Sequence, residues 1–345
     1  MDIQLFFTTI QQAAILLIFI FIGYFFRKKN IITDEGRKVL AKLLVNLFAP
    51  AYSIISLSAV VTVQDITKYL VMLLVGVLVA VLGIVLAVPF SRTLGKDKYH
   101  KNIFMYTFAF GNIGYFGYPL IDGIFGGVAK AQMMLFCVPM SVLIYSYGYH
   151  VLTQPPERLG EDGLPLVAVA KPQKTFLQKI SFLYSMPMVG VYVGIALGLL
   201  TSGLNFELPA FFIKLVTPAA NCQSVPAMLV TGAALAGVPF GKLFTSWKPY
   251  LIGAIRLLVY PLIFGALFAI VYLCGWRDEL FARVAFIAII AVSMPVGMNT
   301  VVYPESVGMD STEGAKNCFI SYVLALVTLP VVFSVAQTLL GLTSF

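Results

Sequence analysis

The segment GNIGYFGYPL, residues 111–120, places three glycines and a proline inside a long apolar stretch of the chain. A second segment of this kind, SMPVGMNTVVYPE, covers residues 293–305. Proline removes a backbone donor and clashes with the preceding helical turn, and glycine weakens a helix further. In hydrocarbon each freed backbone group costs several kcal/mol, so an interrupted helix survives only inside protein or beside a watery cavity. Both segments therefore predict broken membrane helices within a bundle.

The composition around these segments indicates that lipid is the solvent for most of the chain. Of the 345 residues, 60% are hydrophobic and only 11% are charged, against about 25% charged in an ordinary soluble domain. The apolar runs are longer than the alternating strands of a membrane barrel, so they predict an all-α polytopic protein. Ten spans are predicted, at residues 4–26, 39–58, 68–90, 102–121, 130–152, 181–200, 209–235, 249–273, 282–303 and 315–341.

The basic residues predict an orientation for these spans. The loops and span ends on one side, after spans 1, 3, 5, 7 and 9, hold 17 of the 23 lysines and arginines. Because cytoplasmic loops carry the excess of basic residues, both termini are expected outside a plasma membrane and loop 153–180 inside. The net charge of +8 is then explained by orientation and by anionic lipid, and no nucleic-acid partner is expected.

The proline-rich loop 153–180 divides the chain into residues 1–152 and 181–345, with five predicted spans in each part. Two copies with an odd number of spans face opposite ways across the membrane, which is the inverted-repeat plan of many secondary transporters. The predicted fold is therefore ten transmembrane helices in two inverted five-helix repeats. Spans 4 and 9 carry the broken segments at corresponding positions, and such a pair is the best sequence indication of a transport site.

The chemistry expected at this site is the binding of an anion. The N-termini of half-helices carry partial positive charge, and Asn112 and Asn299 add amide donors and acceptors beside each break. A carboxylate can bind there without a lysine at the centre of the bilayer. Arg256, inside span 8, could meet that carboxylate, or it could snorkel or pair with an acid. The candidate substrate-binding residues are Gly111, Asn112, Gly114, Pro119, Arg256, Asn299, Thr300 and Pro304.

Other polar residues are candidates for the rest of a transport pathway. Glu305 and Asp122, at span ends, are candidates for a proton or gating role, with a solvated helix-end acid as the alternative. Spans 2 and 7 carry Asn46, Pro50, Asn221 and Gln223, which would line the opposite side of the pathway or bond between helices. In span 6, Gly190, Gly194 and Gly198 predict a close-packing face, because glycines at four-residue spacing let helix backbones approach.

At these residues the chain resembles the auxin efflux carrier family, which includes plant auxin exporters and bacterial permeases for malate and malonate. The resemblance extends over the whole chain and is carried mainly by GNIGYFGYPL and by the stretch from Asn299 to Pro304, although Pro295 is an alternative match for Pro304. It implies a scaffold of spans 1, 2, 6 and 7 and a transport domain of spans 3–5 and 8–10. It further implies a substrate site where spans 4 and 9 cross, elevator-type motion, and a homodimer formed through the scaffolds.

The predicted function is thus secondary transport of a small organic anion, such as malate, malonate or an auxin-like acid. A cation-coupled carrier of the bile-acid or antiporter type is the first alternative, but no Asp or Glu lies at the centre of a predicted span. A membrane receptor without transport is the second. An enzyme is not expected, because no catalytic constellation lies within the spans. No metal or cofactor is expected either, since the histidines and cysteines lack ligand spacing.

Overall fold

The computed structural model describes residues 3–64, 66–154, 184–276 and 279–340, so nearly all of the predicted loop 153–180 lies outside the described residues. The described residues are almost wholly helical. Their helices are α1 (Ile3–Lys28), α2 (Asp34–Ser58), α3 (Ile66–Leu94), α4 (Lys98–Ala109), α5 (Tyr118–Phe136), α6 (138–152), α7 (Met186–Leu204), α8 (Ala210–Asn221), α9 (Ser224–Leu235), α10 (Lys248–Leu273), α11 (Glu279–Ser293), α12 (Asn299–Ser306) and α13 (Thr312–Leu340).

Six helices of the described ranges are long and apolar enough to cross a membrane, namely α1, α2, α3, α7, α10 and α13. The other four predicted spans fall on shorter helices that follow one another closely. Span 4 becomes α4 and the start of α5, and span 7 becomes α8 and α9. An apolar run in a sequence gives the length of buried chain but not the continuity of its helix, which glycine and proline interrupt.

Local sequence accounts for several helix ends. Thr33 accepts a hydrogen bond from the backbone N–H of Gly36 at 3.0 Å, and Asp97 accepts one from that of His100 at 2.9 Å, so each satisfies a free donor at the start of α2 or α4. Inside α5, Gly126 has a φ of +82° and breaks the helix there. Because a side chain is strained at such a φ, glycine is required at this turn.

The glycine face of α7 packs directly on the second half of α2, as its spacing predicts. A Cβ atom built on Gly190 would lie 2.5 Å from the Cα of Pro50, and one on Gly194 would lie 2.6 Å from the carbonyl oxygen of Ser53. Gly198 meets the carbonyl oxygen of Val61 in the same way, at 2.5 Å. The backbones therefore approach so closely that no larger side chain fits between α7 and α2.

Helix contacts recur in a regular way when spans 1 to 5 are aligned with spans 6 to 10. In the first set α1 packs on α9, and in the second α7 packs on α2, so each first span lies against the second span of the other set. Likewise α3 packs on α4, and α10 packs on α11. The interior of the bundle is formed by α12, in which every residue is buried, together with residues 103–109 of α4, residues 284–293 of α11 and much of the first half of α13.

Candidate functional site

The two interrupted segments meet at one point inside the bundle, where their backbones bond to each other. The N–H of Asn112 donates to the carbonyl oxygen of Pro295 at 2.7 Å, and the N–H of Gly297 donates to that of Phe110 at 3.3 Å. These two bonds bracket an antiparallel bridge between Gly111 and Val296. Backbone groups that leave the helices are thus satisfied inside the protein, which is the condition for irregular backbone at membrane depth. We call this meeting point the crossing.

Asn112 holds the first break in place. Its side-chain oxygen accepts a hydrogen bond from the N–H of Tyr115 at 3.1 Å and so caps the π-helical turn Ile113–Gly117 that leads into α5. Its side-chain nitrogen donates to the hydroxyl of Tyr322 on α13. Both ends of the amide are engaged within the protein, although the residue lines the cavity described below.

Asn299 begins α12 on the other side of the crossing and is only partly engaged. Its side-chain nitrogen donates to the hydroxyl of Tyr106 on α4 at 2.9 Å, while its buried side-chain oxygen has no hydrogen-bond partner in the described part of the chain. A phenol hydroxyl both donates and accepts. When the side-chain amide of Asn299 is rotated by 180°, its oxygen accepts a hydrogen bond from the Tyr106 hydroxyl, so the bond to Tyr106 is kept. The NH2 group of Asn299 then points away from that ring. The neighbouring Thr300 is turned inward, where its hydroxyl donates to the carbonyl oxygen of Gly297 at 2.8 Å.

A small cavity of about 30 Å³ lies at the crossing. Since one water molecule needs roughly 15 Å³ of accessible volume, the cavity holds about two water molecules. Its polar lining includes Asn112, Asn299, Tyr118, Ser141, Tyr145 and Gln223. Gln223 comes from the break between α8 and α9, and its buried side-chain oxygen has no hydrogen-bond partner within the described ranges. The cavity therefore has two unpartnered amide oxygens from different parts of the chain, which is unusual because buried polar groups are nearly always bonded.

Arg256 is buried, with 2% of its surface exposed, and is positioned by the π-helical turn Ile255–Val259 of α10. Its guanidinium binds backbone rather than acids. Nε donates to the carbonyl oxygen of Met294 at 2.9 Å, and Nη1 donates to that of Phe108 at 2.8 Å. A longer bond of 3.4 Å runs from Nη2 to the carbonyl oxygen of Val292. Arg256 does not line the cavity. It joins the two interrupted segments through their backbone carbonyl groups, on the side away from the cavity.

The glycines and the first proline of segment 111–120 have separate positions in this arrangement. A Cβ atom on Gly111 would lie 2.5 Å from Nη2 of Arg256. One on Gly114 would lie 3.3 Å from Nε2 of Gln223, so Gly114 lets that side chain reach the cavity. Pro119 is the second residue of α5 and directly follows the π-helical turn Ile113–Gly117.

A family model of membrane transport proteins matches residues 8–333. The chain belongs to this family. Auxin efflux carriers are part of the same family, so the resemblance drawn from residues 111–120 and 299–304 is confirmed. A comparison with curated proteins gives no match. Membership of a transporter family is consistent with a chain that is not an enzyme. The six long apolar helices in the described residues indicate a multi-pass membrane protein.

Several predicted site residues of this membrane transport protein lie away from the cavity. Pro304 lies inside α12, and Glu305 at the end of that helix is paired with Arg37 of α2 at 3.3 Å. Glu305 also accepts a hydrogen bond from the hydroxyl of Ser311 at 2.5 Å. Asp122 is exposed and forms an ion pair with Lys130 at 2.7 Å. Glu305 and Asp122 are thus paired within the protein, and none of the three residues lines the cavity.

Only one of the four residues expected on the opposite side of the pathway lines the cavity. Gln223 does so, whereas Asn46 is exposed and donates to the carbonyl oxygen of Lys42 in its own helix at 2.8 Å. Pro50 packs on α7, and Asn221 is exposed at the end of α8.

The tyrosines of the cavity were not predicted from the sequence. Tyr118 belongs to the GNIGYFGYPL segment and was therefore within reach, but its ring resembles any other aromatic residue of a membrane helix. Ser141 and Tyr145 lie four residues apart on α6, so they share a helix face. With 17 tyrosines in the chain, many of them in apolar helices, that spacing alone does not single out a pair.

Proposed function

We propose that this membrane transport protein is a secondary transporter of small organic anions that works by alternating access. One observation carries the proposal. The crossing encloses a polar cavity with two buried amide oxygens, of Gln223 and Asn299, that have no hydrogen-bond partner among the described residues. Groups of this kind are costly to bury unless a ligand or water binds them. Membership of a transporter family gives the class of activity.

The preference for an anion follows from the helix ends that surround the cavity. Asn112, Ile113 and Gly114 of the lining belong to the start of the half-helix that continues into α5, and Met298 and Asn299 belong to the start of α12. Helix starts carry partial positive charge, and the amides of Asn299 and Gln223 present NH2 groups when flipped. A carboxylate fits this combination, and malate, malonate or an auxin-like acid are the proposed substrates.

Alternating access is supported by the size of the cavity. A volume of about 30 Å³ suits about two waters but not an organic acid, so the crossing must separate from its surroundings to admit a substrate. We propose that spans 3–5 and 8–10 move as a transport domain against a scaffold of spans 1, 2, 6 and 7. The ten spans would then form two inverted repeats, in keeping with the recurring contacts of α1 on α9 and of α7 on α2. A homodimer through the scaffolds stays a prediction.

The binding step can be tested at Gln223 in purified protein. We expect mono- and dicarboxylates, screened by thermal shift, to include at least one acid that stabilises the wild-type protein. Gln223→Ala should weaken the binding of that acid by about ten- to hundredfold, because a hydrogen bond to a charged group contributes about 1.5–3 kcal/mol. Gln132→Ala is the matched control, since the buried oxygen of Gln132 is also unpartnered but lies outside the cavity. Equal weakening by both variants, or no acid that binds, would reject the proposed site.

The proposed orientation can be tested by labelling single cysteines in intact cells or oriented vesicles. The exposed Cys222 and Cys274 are first replaced by serine. A Gly160→Cys variant should then react with an impermeant reagent only from the cytoplasmic side, because the basic loops define that side. Asn205→Cys, between α7 and α8, is the control and should react only from outside. The reverse pattern would overturn the orientation.

A further inference from the structure

Arg256 is a buried cation whose charge is balanced by helix ends instead of by a carboxylate. No ion pair in the described part of the chain includes Arg256. Its three acceptors lie at the C-terminal ends of two half-helices: Phe108 is next to the last residue of α4, and Val292 and Met294 flank the last residue of α11. Free carbonyl groups at a helix C-terminus carry roughly −0.5 of a charge. Two such ends together balance one guanidinium.

The N-terminal ends of the other two half-helices face the cavity, and no charged side chain of the cavity lining balances their partial positive charge. The half-helix that begins at Ile113 and the helix α12 that begins at Asn299 each contribute roughly +0.5 of a charge at their starts. None of the side chains that line the cavity is charged. The buried amide oxygens of Asn299 and Gln223, which have no hydrogen-bond partner among the described residues, face the same space, and they are the independent indication that a ligand binds there. The crossing as a whole therefore carries about one positive charge when it is empty.

We propose that Arg256 sets the charge of the substrate, by neutralising the C-terminal ends of α4 and α11 so that the crossing accepts an anion with a single negative charge. This inference rests on the proposed function. Arg256 acts as a positioning residue, because its guanidinium is bonded to backbone and does not touch the cavity. Without it, the carbonyl ends would offset the positive helix starts, and the crossing would have no net charge to attract an acid.

Gly111 supports this assignment, because it brings the guanidinium next to the cavity wall. The position that a Cβ atom of residue 111 would occupy lies 2.5 Å from Nη2 of Arg256, and the same residue lines the cavity. A single backbone unit thus separates the cation from the substrate site. At such a separation, and at an effective dielectric constant of about 20, a unit charge changes the affinity for an ion by between about ten- and hundredfold.

The test compares acids with uncharged analogues of the same shape. Binding of indole-3-acetate against indole-3-acetamide, and of malonate against malonamide, is measured by isothermal titration calorimetry with the whole protein. We expect wild-type protein to prefer the acid, and Arg256→Gln to reduce the ratio of acid to amide affinity by about ten- to hundredfold. Arg256→Lys should keep most of the ratio, because it keeps the charge. Lys248→Gln, which removes a cation bonded to the carbonyl oxygen of Leu94 at the end of α3, should leave the ratio unchanged.

A second measurement needs only the wild-type protein and remains valid where Arg256→Gln does not fold. Malonate loses its second proton as the pH rises from about 5 to about 8, so its affinity should fall as the monoanion is replaced by the dianion. The inference would be overturned if the affinity for malonate rose with the fraction of dianion, or if folded Arg256→Gln kept the wild-type ratio of acid to amide affinity. Either result would leave the transporter proposal intact. Failure of wild-type protein to bind either acid would reject the proposed function, and the inference with it.

Discussion

Replacement of Asn299 by alanine is expected to reduce uptake of the organic acid by about ten- to hundredfold, the loss that corresponds to about 1.5–3 kcal/mol for a hydrogen bond to a charged group. Asn299 begins α12 and is the one asparagine of the crossing with an unpartnered amide atom. Its removal also leaves the buried hydroxyl of Tyr106 without this partner. Uptake into proteoliposomes measures the change, and a thermal unfolding curve in detergent establishes that the variant is folded.

Asn102→Ala is the matched control for this substitution. Asn102 lies on α4 and donates to the carbonyl oxygen of Val151 at 3.2 Å, so it also loses a side-chain hydrogen bond when truncated, but it does not line the cavity. The control should reduce stability slightly and leave uptake near that of the wild type. Wild-type uptake by folded Asn299→Ala would show that the crossing is not the substrate site.

Gly111→Ala is expected to destabilise the protein by about 1–3 kcal/mol, as overpacked cores generally are, and to abolish uptake. The added Cβ atom would lie 2.5 Å from Nη2 of Arg256 and 2.9 Å from the Cβ atom of Met294. The guanidinium has no freedom to retreat, because Phe108 and Met294 hold it by their carbonyl oxygens. Either its bonds to the two half-helices or the bridge from Gly111 to Val296 must give way. A lowered melting temperature together with lost uptake is the expected result.

Gly127→Ala tests whether any added methyl group has this effect. Gly127 lies on α5, where an added Cβ atom would be 4.0 Å from the nearest atom, Oδ1 of Asp122. We expect unchanged uptake and a stability equal to or slightly above that of the wild type, because alanine favours a helix over glycine. A Gly111→Ala protein as stable and as active as Gly127→Ala would mean that the contact with Arg256 does not matter.

The positions of the helix breaks were accessible from the sequence, because glycine and proline act locally. The segments 111–120 and 293–305 contain the two helix breaks that meet at the crossing. Their meeting was not accessible in the same way. The bonds from Asn112 to Pro295 and from Gly297 to Phe110 join backbone groups, which every residue carries, so no side chain records them. The close-packing glycines of α7 were predicted because small residues at regular spacing have one dominant explanation in membrane helices.

For Arg256, the sequence predicts burial of the charge but not the observed partners of the guanidinium. Its place inside span 8 indicates a buried charge, and a carboxylate of the substrate is one partner that the sequence predicts for it. Its actual partners are carbonyl oxygens of α4 and α11, and such acceptors have no sequence signature. Likewise, the π-helical turn Ile255–Val259 that orients Arg256 has no marker residue. Polar side chains at the crossing were found where they adjoin a break, and missed where, like Tyr145, they come from an uninterrupted apolar run.

Uptake of radiolabelled organic acids into proteoliposomes tests the central claim most directly. The panel contains malate, malonate and indole-3-acetate, with empty vesicles and Asn102→Ala vesicles as references. The account predicts saturable uptake of at least one acid by the wild-type protein, retained in Asn102→Ala and reduced at least about tenfold in Asn299→Ala. Wild-type vesicles that take up every acid no faster than empty ones would contradict it.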